Sequence, residues 1–135
     1  MGLSKIFNIA SAGLNAQTQR LRVIAENLAN SETMGQTPGG LPYQRKTITF
    51  KNVFDRVLGV NLVKVARQGV DRAPFERRFD PSHMASDDEG YVRVPNVNPL
   101  IELTDMRQAQ RTYEANLNII EVTRSMLRST IDILQ

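Results

Sequence analysis

The sequence contains no cysteine and no tryptophan, and only 6% of its 135 residues are aromatic. Without cysteine, the chain cannot form disulfides, thiolate nucleophiles or cysteine zinc sites. The low aromatic content limits the size of a compact core. No run approaches the ~20 apolar residues that a membrane-spanning helix needs. With 41% apolar and 23% charged residues, the composition suits one domain or one elongated protomer.

The net charge is +3, and no segment carries a dense run of lysine and arginine. Proteins that follow the phosphates of nucleic acids carry a contiguous basic patch or stripe. We therefore expect no nucleic acid partner.

The first residues superficially resemble a secretory signal peptide. Lys5 precedes the apolar stretch Ile6–Ile9, and Ala10-Ser11-Ala12 has the form of a cleavage site. However, Asn8 interrupts the stretch, which is shorter than a secretory apolar region. We expect this segment to be retained as structure.

Apolar residues recur at alternating spacings of four and three over the first 28 residues. Seven of the eight positions are apolar, and together they form the first row: Leu3, Phe7, Ala10, Leu14, Gln17, Leu21, Ile24 and Leu28. A narrow row with this spacing is typical of a coiled-coil helix. It predicts an amphipathic helix that ends near the asparagines that follow.

The C-terminal segment repeats the pattern over about 101–134, where no glycine or proline interrupts it. One set of positions seven apart is entirely apolar: Met106, Tyr113, Ile120, Leu127 and Leu134. The companion positions are Leu103, Gln110, Leu117, Arg124 and Ile131. The pattern predicts a second helix of about 50 Å at 1.5 Å per residue. We interpret Pro95 and Pro99 as blocking helix before it.

The second helix carries more apolar surface than one partner helix covers. A second flank lies beside its row and consists of Ile119, Val122, Met126 and Ile133. Burial in a globular core is the alternative, but too few residues lie between the helices to wrap both. Contiguous exposed apolar surface indicates a protein–protein contact. The pattern therefore favours assembly with other chains.

Between the helices, a loop rich in glycine and proline over 35–42 precedes segments of strand composition. Strands are predicted over Tyr43–Val53, Val60–Ala66, Phe75–Phe79 and Tyr91–Val94, with a tight turn at 87–90. We expect them to form one small antiparallel unit of three to five strands. The predicted fold is mainly α with a small β unit. Its parts are an N-terminal helix (1–34), a β-rich insertion (35–99) and a C-terminal helix (100–135), with the helices paired as a coiled-coil stalk.

No motif of an enzyme or of a metal site is present. His83 is the only histidine, so a zinc site cannot be completed from this chain alone. Asp87, Asp88 and Glu89 are consecutive and lack the alternating spacing of an EF-hand loop. No glycine pattern indicates a phosphate loop. We predict no catalytic residue, cofactor, metal ion or small-molecule substrate, and interpret the basic residues Arg45, Lys46 and Lys51 as a solvated strand face.

Two asparagines, Asn27 and Asn30, follow the first row and lie on one helix face. In one interpretation Asn30 ends the helix and Asn27 is incidental. In the other, both amides form hydrogen bonds with a neighbouring backbone or helix end. The spacing leaves both open.

Three segments, in order, resemble the flagellar rod, hook and hook-associated axial proteins. They are SAGLNAQTQRLRVIAENLANSETMG near the N-terminus, FDPSHMASDDEGYVRVPNVN in the middle and LTDMRQAQRTYEANLNIIEVTRSMLRSTIDIL near the C-terminus. The C-terminal segment carries the Arg-x-Tyr-x-Ala-Asn core of that family at 111–116. The middle segment resembles the members of the family that form the proximal rod. The likeness covers most of the chain.

The resemblance implies a non-enzymatic structural subunit of the bacterial flagellar proximal rod. Such proteins pack their terminal helices into an inner tube that transmits torque and surrounds the export channel. They are exported by the flagellar type III apparatus without cleavage and lie in the basal body. Implied partners are copies of the same chain, other rod proteins and the rod base of the export apparatus. Asn27 and Asn30 would then form the junction where the chain leaves the helix. The alternative is a self-contained coiled-coil adaptor or chaperone-like protein.

Overall fold

A computed structural model describes residues 2–135. Two long helices flank four strands, in the order α1 (Gly2–Ala29), β1 (Lys46–Asp55), β2 (Val60–Val70), β3 (Glu76–Phe79), β4 (Tyr91–Val94) and α2 (Pro99–Leu134). The prediction of two long terminal helices with short strands between them is confirmed. None of the helices within residues 2–135 is both long and apolar enough to cross a membrane.

Helix α2 begins at Pro99, so the interpretation of Pro99 as a helix block is wrong. The side chain of Asn98 caps the helix, because its Oδ1 accepts a hydrogen bond from the amide of Leu100 at 3.1 Å. The carbonyl of Asn98 accepts the first helical bond from the amide of Glu102, also at 3.1 Å. Proline is favoured at the first helical position, where its missing N–H is not needed. Asn98-Pro99 is therefore a helix start.

The four strands form two separate two-stranded sheets, β1–β2 and β3–β4, so the prediction of one β unit is wrong. A turn over 56–59 joins β1 to β2, and such a short connection requires antiparallel strands. In this turn the amides of Val57 and Leu58 donate to Oδ1 of Asp55, and Gly59 adopts a positive φ of 69°. Strands β3 and β4 are antiparallel over four residue pairs, from Glu76 opposite Val94 to Phe79 opposite Tyr91.

The predicted tight turn at 87–90 is present and leads directly into β4. The amide of Gly90 donates to the carbonyl of Asp87 at 3.0 Å, and Gly90 has a φ of 89°. The side chain of Asp87 also accepts hydrogen bonds from the amides of Glu89 and Tyr91, each at 2.9 Å. The aspartate therefore organises the turn.

The chain divides into two compact units. The first contains residues 2–21, Ile48–Arg67 and 107–135, and the second contains Arg22–Thr47 and Gln68–Met106. Buried side chains of the first unit are mostly small or β-branched: Ala10, Ala16, Leu62, Ala109, Ile120 and Thr123. Those of the second unit include two polar groups: Val23, Ile24, Asn27, Ala85, Val92 and Glu102.

Candidate assembly surface and helix–strand junction

In the first unit, the two helices meet in opposite directions. Nη2 of Arg20 donates to Oε1 of Gln108 at 3.4 Å. Nearer the N-terminus, Gly13 faces Asn116 so closely that a Cβ at position 13 would lie 2.8 Å from Nδ2 of Asn116. The start of α1 and the end of α2 line one apolar groove, to which Leu3 and Leu127 contribute. The earlier part of α2 thus contacts the later part of α1, and the end of α2 lies near the start of α1. The two helices are therefore antiparallel.

Small residues occupy the closest part of this contact. Ala10 and Ala16 are 2% exposed, Ala109 is fully buried, and Gly13 is buried against Asn116. Sequence reasoning concentrated on large apolar side chains and missed Gly13, Ala16 and Ala109. The available signal was the spacing of three between the small residues at 10, 13 and 16.

The predicted rows are only partly buried within the chain. Ile24 and Ile120 are buried. The half-buried members are Leu3, Leu14, Leu21, Leu28, Met106 and Tyr113. The exposed members are Phe7, Leu103, Leu117, Leu127, Ile131 and Leu134.

The second flank is exposed along its whole length. Ile119, Val122, Met126 and Ile133 are 44%, 53%, 52% and 83% exposed. Three of them line a shallow groove of about 270 Å³ together with Ile6 of α1. Scattered surface apolar residues are ordinary, but a contiguous apolar surface marks an interaction site. The C-terminal half of α2 therefore presents an uncovered apolar face.

Four positions of α2 with small or polar side chains lie seven residues apart and are buried or half-buried. Glu102, Ala109 and Thr123 are all at most 2% exposed, and the half-buried Asn116 completes the series. Oγ1 of Thr123 donates to the carbonyl of Ile119 at 2.7 Å, which satisfies its hydroxyl within the helix. None of these four residues is a large apolar residue, so a search for apolar rows passes over them.

In the second unit, Asn27 joins the end of α1 to the start of β1. Its Nδ2 donates to the carbonyl of Lys46 at 2.9 Å, and its Oδ1 accepts the amide of Lys46 at 2.9 Å. The hydroxyl of Tyr43 donates to the same Oδ1 at 2.8 Å. Asn27 is 1% exposed, and burial raises the pKa of Tyr43 above its usual value. The side-chain oxygen of Asn27 thus accepts two hydrogen bonds, and its nitrogen donates one.

Asn30 acts at the end of the helix itself. Its backbone amide and its Nδ2 both donate to the carbonyl of Glu26, at 3.0 and 2.8 Å. Its Oδ1 accepts a hydrogen bond from Oγ1 of Thr33 at 3.0 Å. Helix ends leave carbonyls without intrahelical partners, and these bonds use one of them. The two asparagines therefore differ: Asn30 closes the helix, and Asn27 binds the strand.

The interpretation of the basic residues as a solvated strand face is wrong for Arg45, whereas Lys46 and Lys51 are exposed. Arg45 precedes β1 and is half-buried; its Nε forms an ion pair with the buried carboxylate of Glu102, and its Nη1 lies 3.5 Å from Asp71. Burial opposes the charge of Arg45, but the bond to Glu102 outweighs this and raises the pKa of Arg45. Lys46 is exposed, and its Nζ lies 2.7 Å from Glu26. Arg45 and Lys46 each have a partner distant in sequence, which local patterning does not reveal.

Comparison with known protein families places these helices in context. Residues 7–35 match the family described as flagella basal body rod protein. Residues 88–133 match the family described as flagellar basal body rod FlgEFG protein C-terminal.

Full-length relatives carry one name. The flagellar basal-body rod protein FlgC of Agrobacterium fabrum is 50% identical over 133 residues, which cover 98% of this chain and 96% of that protein. FlgC of Borreliella burgdorferi is 40% identical over 153 residues, covering 100% of this chain and 99% of that protein. FlgC of Yersinia enterocolitica is 36% identical over 135 residues, covering both chains completely.

The chain belongs to the FlgC family of flagellar basal-body rod proteins. The resemblance to axial proteins of the flagellum, and within them to the proximal rod, is confirmed. FlgC proteins are structural proteins and not enzymes, and their place is the flagellar basal body. The adaptor or chaperone-like alternative is not favoured.

The matched segments of this chain coincide with the surfaces described above. The rod-protein match over 7–35 includes most of α1 and both junction asparagines. The C-terminal match over 88–133 includes β4 and nearly all of α2, with the second flank. The loops between them are tied to each other, since the amide of Gly39 donates to the carbonyl of Ala85 at 3.2 Å.

His83 lies in the second of these loops and serves the backbone. Its Nδ1 accepts a hydrogen bond from the amide of Ala85 at 3.0 Å. Among the residues that the structure describes, no group of three or more acidic, histidine or cysteine side chains is placed to hold a metal ion.

Proposed function

We propose that this FlgC-family chain is a structural subunit of the proximal rod, which builds the tubular drive shaft that transmits torque and surrounds the export channel. The observation that carries the proposal is the exposed second flank of α2, Ile119, Val122, Met126 and Ile133. Burial of such an apolar face against a neighbouring subunit stabilises the assembly by roughly 25 cal/mol for each Å² of apolar surface removed from water. The proposed partners are copies of the same chain, other rod proteins and the rod base of the export apparatus.

We further propose that α1 and α2 pair as an antiparallel coiled coil within the subunit. The contacts of Gly13 with Asn116 and of Arg20 with Gln108 support this arrangement. The small residues at the contact favour a close approach of the two helices. The proposed pairing and assembly residues are Leu3, Phe7, Leu14, Leu21, Ile24, Leu28, Met106, Tyr113, Leu117, Ile120, Leu127, Ile131 and Leu134.

The exposed and buried members of this set have different proposed roles. Ile24 and Ile120 stabilise the subunit itself because they are already buried within it. Phe7, Leu127 and Leu134 are exposed in the single chain, so they gain burial only in the assembled rod. Asn27 and Asn30 form the junction at which the chain leaves the helix for β1.

Assembly is tested by following mass and helicity together. The purified chain is measured by light scattering and circular dichroism over a wide range of concentrations. We expect mass to rise with concentration and helicity to rise with it, because the C-terminal part of α2 lacks a partner in the monomer. A helical monomer at all concentrations would contradict the proposal and favour the adaptor alternative.

Two variants of the second flank sharpen the test. Val122→Glu and Met126→Glu place a charge in the apolar face but keep residues that occur readily in helices. Each is expected to weaken association by about a hundredfold, the scale of a central interface residue. The matched control is Glu121→Gln, an exposed neighbour on the same turn. Equal association of all three variants would contradict the role of the second flank.

A further inference from the structure

One face of the β3–β4 sheet carries an unusual set of exposed side chains. In the register of the sheet, Arg77 lies opposite Arg93, and Phe79 lies opposite Tyr91. Since side chains alternate between the faces of a strand, these four residues share one face, which we call the Arg–aromatic face. The opposite face carries Val92, which is 1% exposed. The Arg–aromatic face is therefore the outer face of this sheet.

The aromatic rings of this face pack against each other and against Arg77, yet they remain accessible. Phe79 and Tyr91 pack edge to face with ring centroids 5.3 Å apart, and the guanidinium of Arg77 lies 4.5 Å from the centre of the Tyr91 ring. Gly90 packs directly against Phe79, since a Cβ at position 90 would lie 2.9 Å from the Phe79 ring. Even so, Phe79 is 63% exposed. An exposed aromatic pair beside an arginine is the type of side-chain cluster found at the centres of protein interfaces, where tyrosine and arginine are enriched.

The two arginines differ in charge compensation. Nη2 of Arg77 lies 3.2 Å from Asp87 and 3.3 Å from Glu89. Arg93 is exposed, and no carboxylate within residues 2–135 lies within 4.0 Å of its guanidinium. Like charges directly opposite each other in a sheet destabilise it. The single chain therefore carries an uncompensated positive charge at Arg93, next to a ring surface.

We propose that the Arg–aromatic face docks an acidic segment of a neighbouring protein subunit, with a carboxylate on Arg93 and an adjacent apolar side chain on Phe79. A small anion would use only the charge, whereas the exposed ring offers apolar contact that only a larger partner fills. Arg–carboxylate pairs are bidentate and geometrically specific, so Arg93 would fix the position of the segment. The proposal rests on the proposed assembly into the rod, but it concerns a surface distinct from the terminal helices.

The test exploits an opposition between stability and assembly. Arg93→Glu places a carboxylate opposite Arg77, so it removes the like-charge pair and creates a cross-strand ion pair. We expect its unfolding midpoint to equal or exceed that of the unmodified chain. In cells that lack the chromosomal copy, we expect the amount of Arg93→Glu chain in purified basal bodies to fall by about tenfold, on the scale of one interface charge pair. If Arg93 had only a structural role, incorporation into basal bodies would not fall while the unfolding midpoint stayed equal or rose.

The matched control is Arg78→Glu, on the opposite face of the same sheet, in the neighbouring strand β3. Arg78 has a partner within the chain, since its Nη2 lies 3.1 Å from Glu32. We expect Arg78→Glu to lower the unfolding midpoint slightly and to enter basal bodies at the level of the unmodified chain. Equal incorporation of Arg93→Glu and Arg78→Glu would overturn the inference while leaving the proposed function of the helices intact.

The partner is identified by photocrosslinking in assembled basal bodies, with Tyr91, which lies beside Arg93 on the same face, replaced by p-benzoylphenylalanine so that Arg93 is kept. We expect a crosslinked peptide that contains aspartate or glutamate, and restored incorporation of Arg93→Glu when that acidic residue is changed to arginine. A crosslinked peptide without an acidic residue, or failure of this charge exchange, would overturn the inference. So would binding of the full chain to purified cell-wall glycan that is lost in Arg93→Glu without any protein crosslink.

Discussion

The side chain of Asn27 and the backbone of Lys46 form a reciprocal pair of hydrogen bonds, each 2.9 Å long. A side-chain amide thus does for the first residue of β1 what a neighbouring strand would do. Lys46 lies where helix and strand meet, so its N–H and C=O need partners outside the β1–β2 ladder. Asn is suited to this because one side chain offers both a donor and an acceptor. The hydroxyl of Tyr43 occupies the remaining acceptor position of Asn27.

We expect Asn27→Ala to destabilise the chain by about 3 kcal/mol, because it leaves the backbone N–H and C=O of Lys46 and the hydroxyl of Tyr43 without these partners. Asn27→Asp should also destabilise, since a carboxylate has no donor for the carbonyl of Lys46. Chemical unfolding followed by circular dichroism measures both. Asn15→Ala, an exposed asparagine of the same helix, is the control and should change stability by less than about 0.5 kcal/mol. A loss for Asn27→Ala no larger than that of the control would contradict the bridging role.

We expect the buried ion pair of Arg45 with Glu102 to contribute more to the free energy of unfolding than the exposed ion pair of Lys46 with Glu26. Glu102 is 1% exposed, its Oε2 has no hydrogen-bond partner among residues 2–135, and its Oε1 is paired with Arg45. We expect Arg45→Met to destabilise by about 3 kcal/mol, because it leaves a buried carboxylate uncompensated. Combining it with Glu102→Leu should recover at least about 1 kcal/mol.

The exposed pair of Lys46 and Glu26 supplies the comparison for this double-mutant cycle. Lys46→Gln removes only the solvent-exposed ion pair, and surface pairs contribute little. We expect no measurable change in its unfolding midpoint. Additive effects of Arg45→Met and Glu102→Leu would show that the two side chains are not coupled.

Gly13→Ala should be destabilising although alanine is the better helix former by about 1 kcal/mol. The new Cβ would lie 2.8 Å from Nδ2 of Asn116, and that side chain is held by a 3.1 Å bond to the carbonyl of Thr112. Moving Asn116 aside breaks this bond. In a chain that already carries Asn116→Ala, the same Gly13→Ala change should instead stabilise by about 1 kcal/mol. Thermal unfolding of the four chains measures this reversal of sign, and the same sign in both backgrounds would rule out the contact.

Asp87 should contribute to the loss of stability in acid. The hydrogen bond from the amide of Tyr91, together with the Glu89 amide and Arg77, lowers the pKa of Asp87 below its ordinary value of 3.8. A lowered pKa in the folded state stabilises the protein above the ordinary pKa, and this contribution is lost as pH falls through the folded value. We therefore expect stability to fall less steeply below pH 3.8 in Asp87→Asn than in the unmodified chain.

Urea unfolding at a series of acidic pH values measures this slope. The control is Asp88→Asn, because the neighbouring carboxylate makes none of the hydrogen bonds of the turn. Its acid dependence should match that of the unmodified chain. Identical slopes for Asp87→Asn and Asp88→Asn would show that the turn does not depend on the ionised aspartate.

The sequence predicts the helices well because a long apolar period with alternating spacings of four and three has few alternatives. Gly13, Ala16 and Ala109 escaped notice because small side chains add little to an apolar pattern, although they permit the closest contact. The alternation of residues in a strand indicates its faces but not its partner, so the pattern alone does not distinguish one sheet from two. Arg45 and Glu102 lie far apart along the chain, so their pairing depends on the tertiary fold. Pro99 was misjudged because proline stops a helix from within but begins one at its first position.

Residues 30–45 contain no helix or strand. A segment of that length ordinarily acts as a flexible linker, which must be extended before it passes on a force. Here the bonds of Asn27 to Lys46 and of the Tyr43 amide to the carbonyl of Thr33 close the segment at its base. A force applied at the end of α1 therefore reaches β1 through these hydrogen bonds, and the loop between them is not extended first. In a rod that must turn as one body, such a connection passes rotation from the helix to the strand without lost motion.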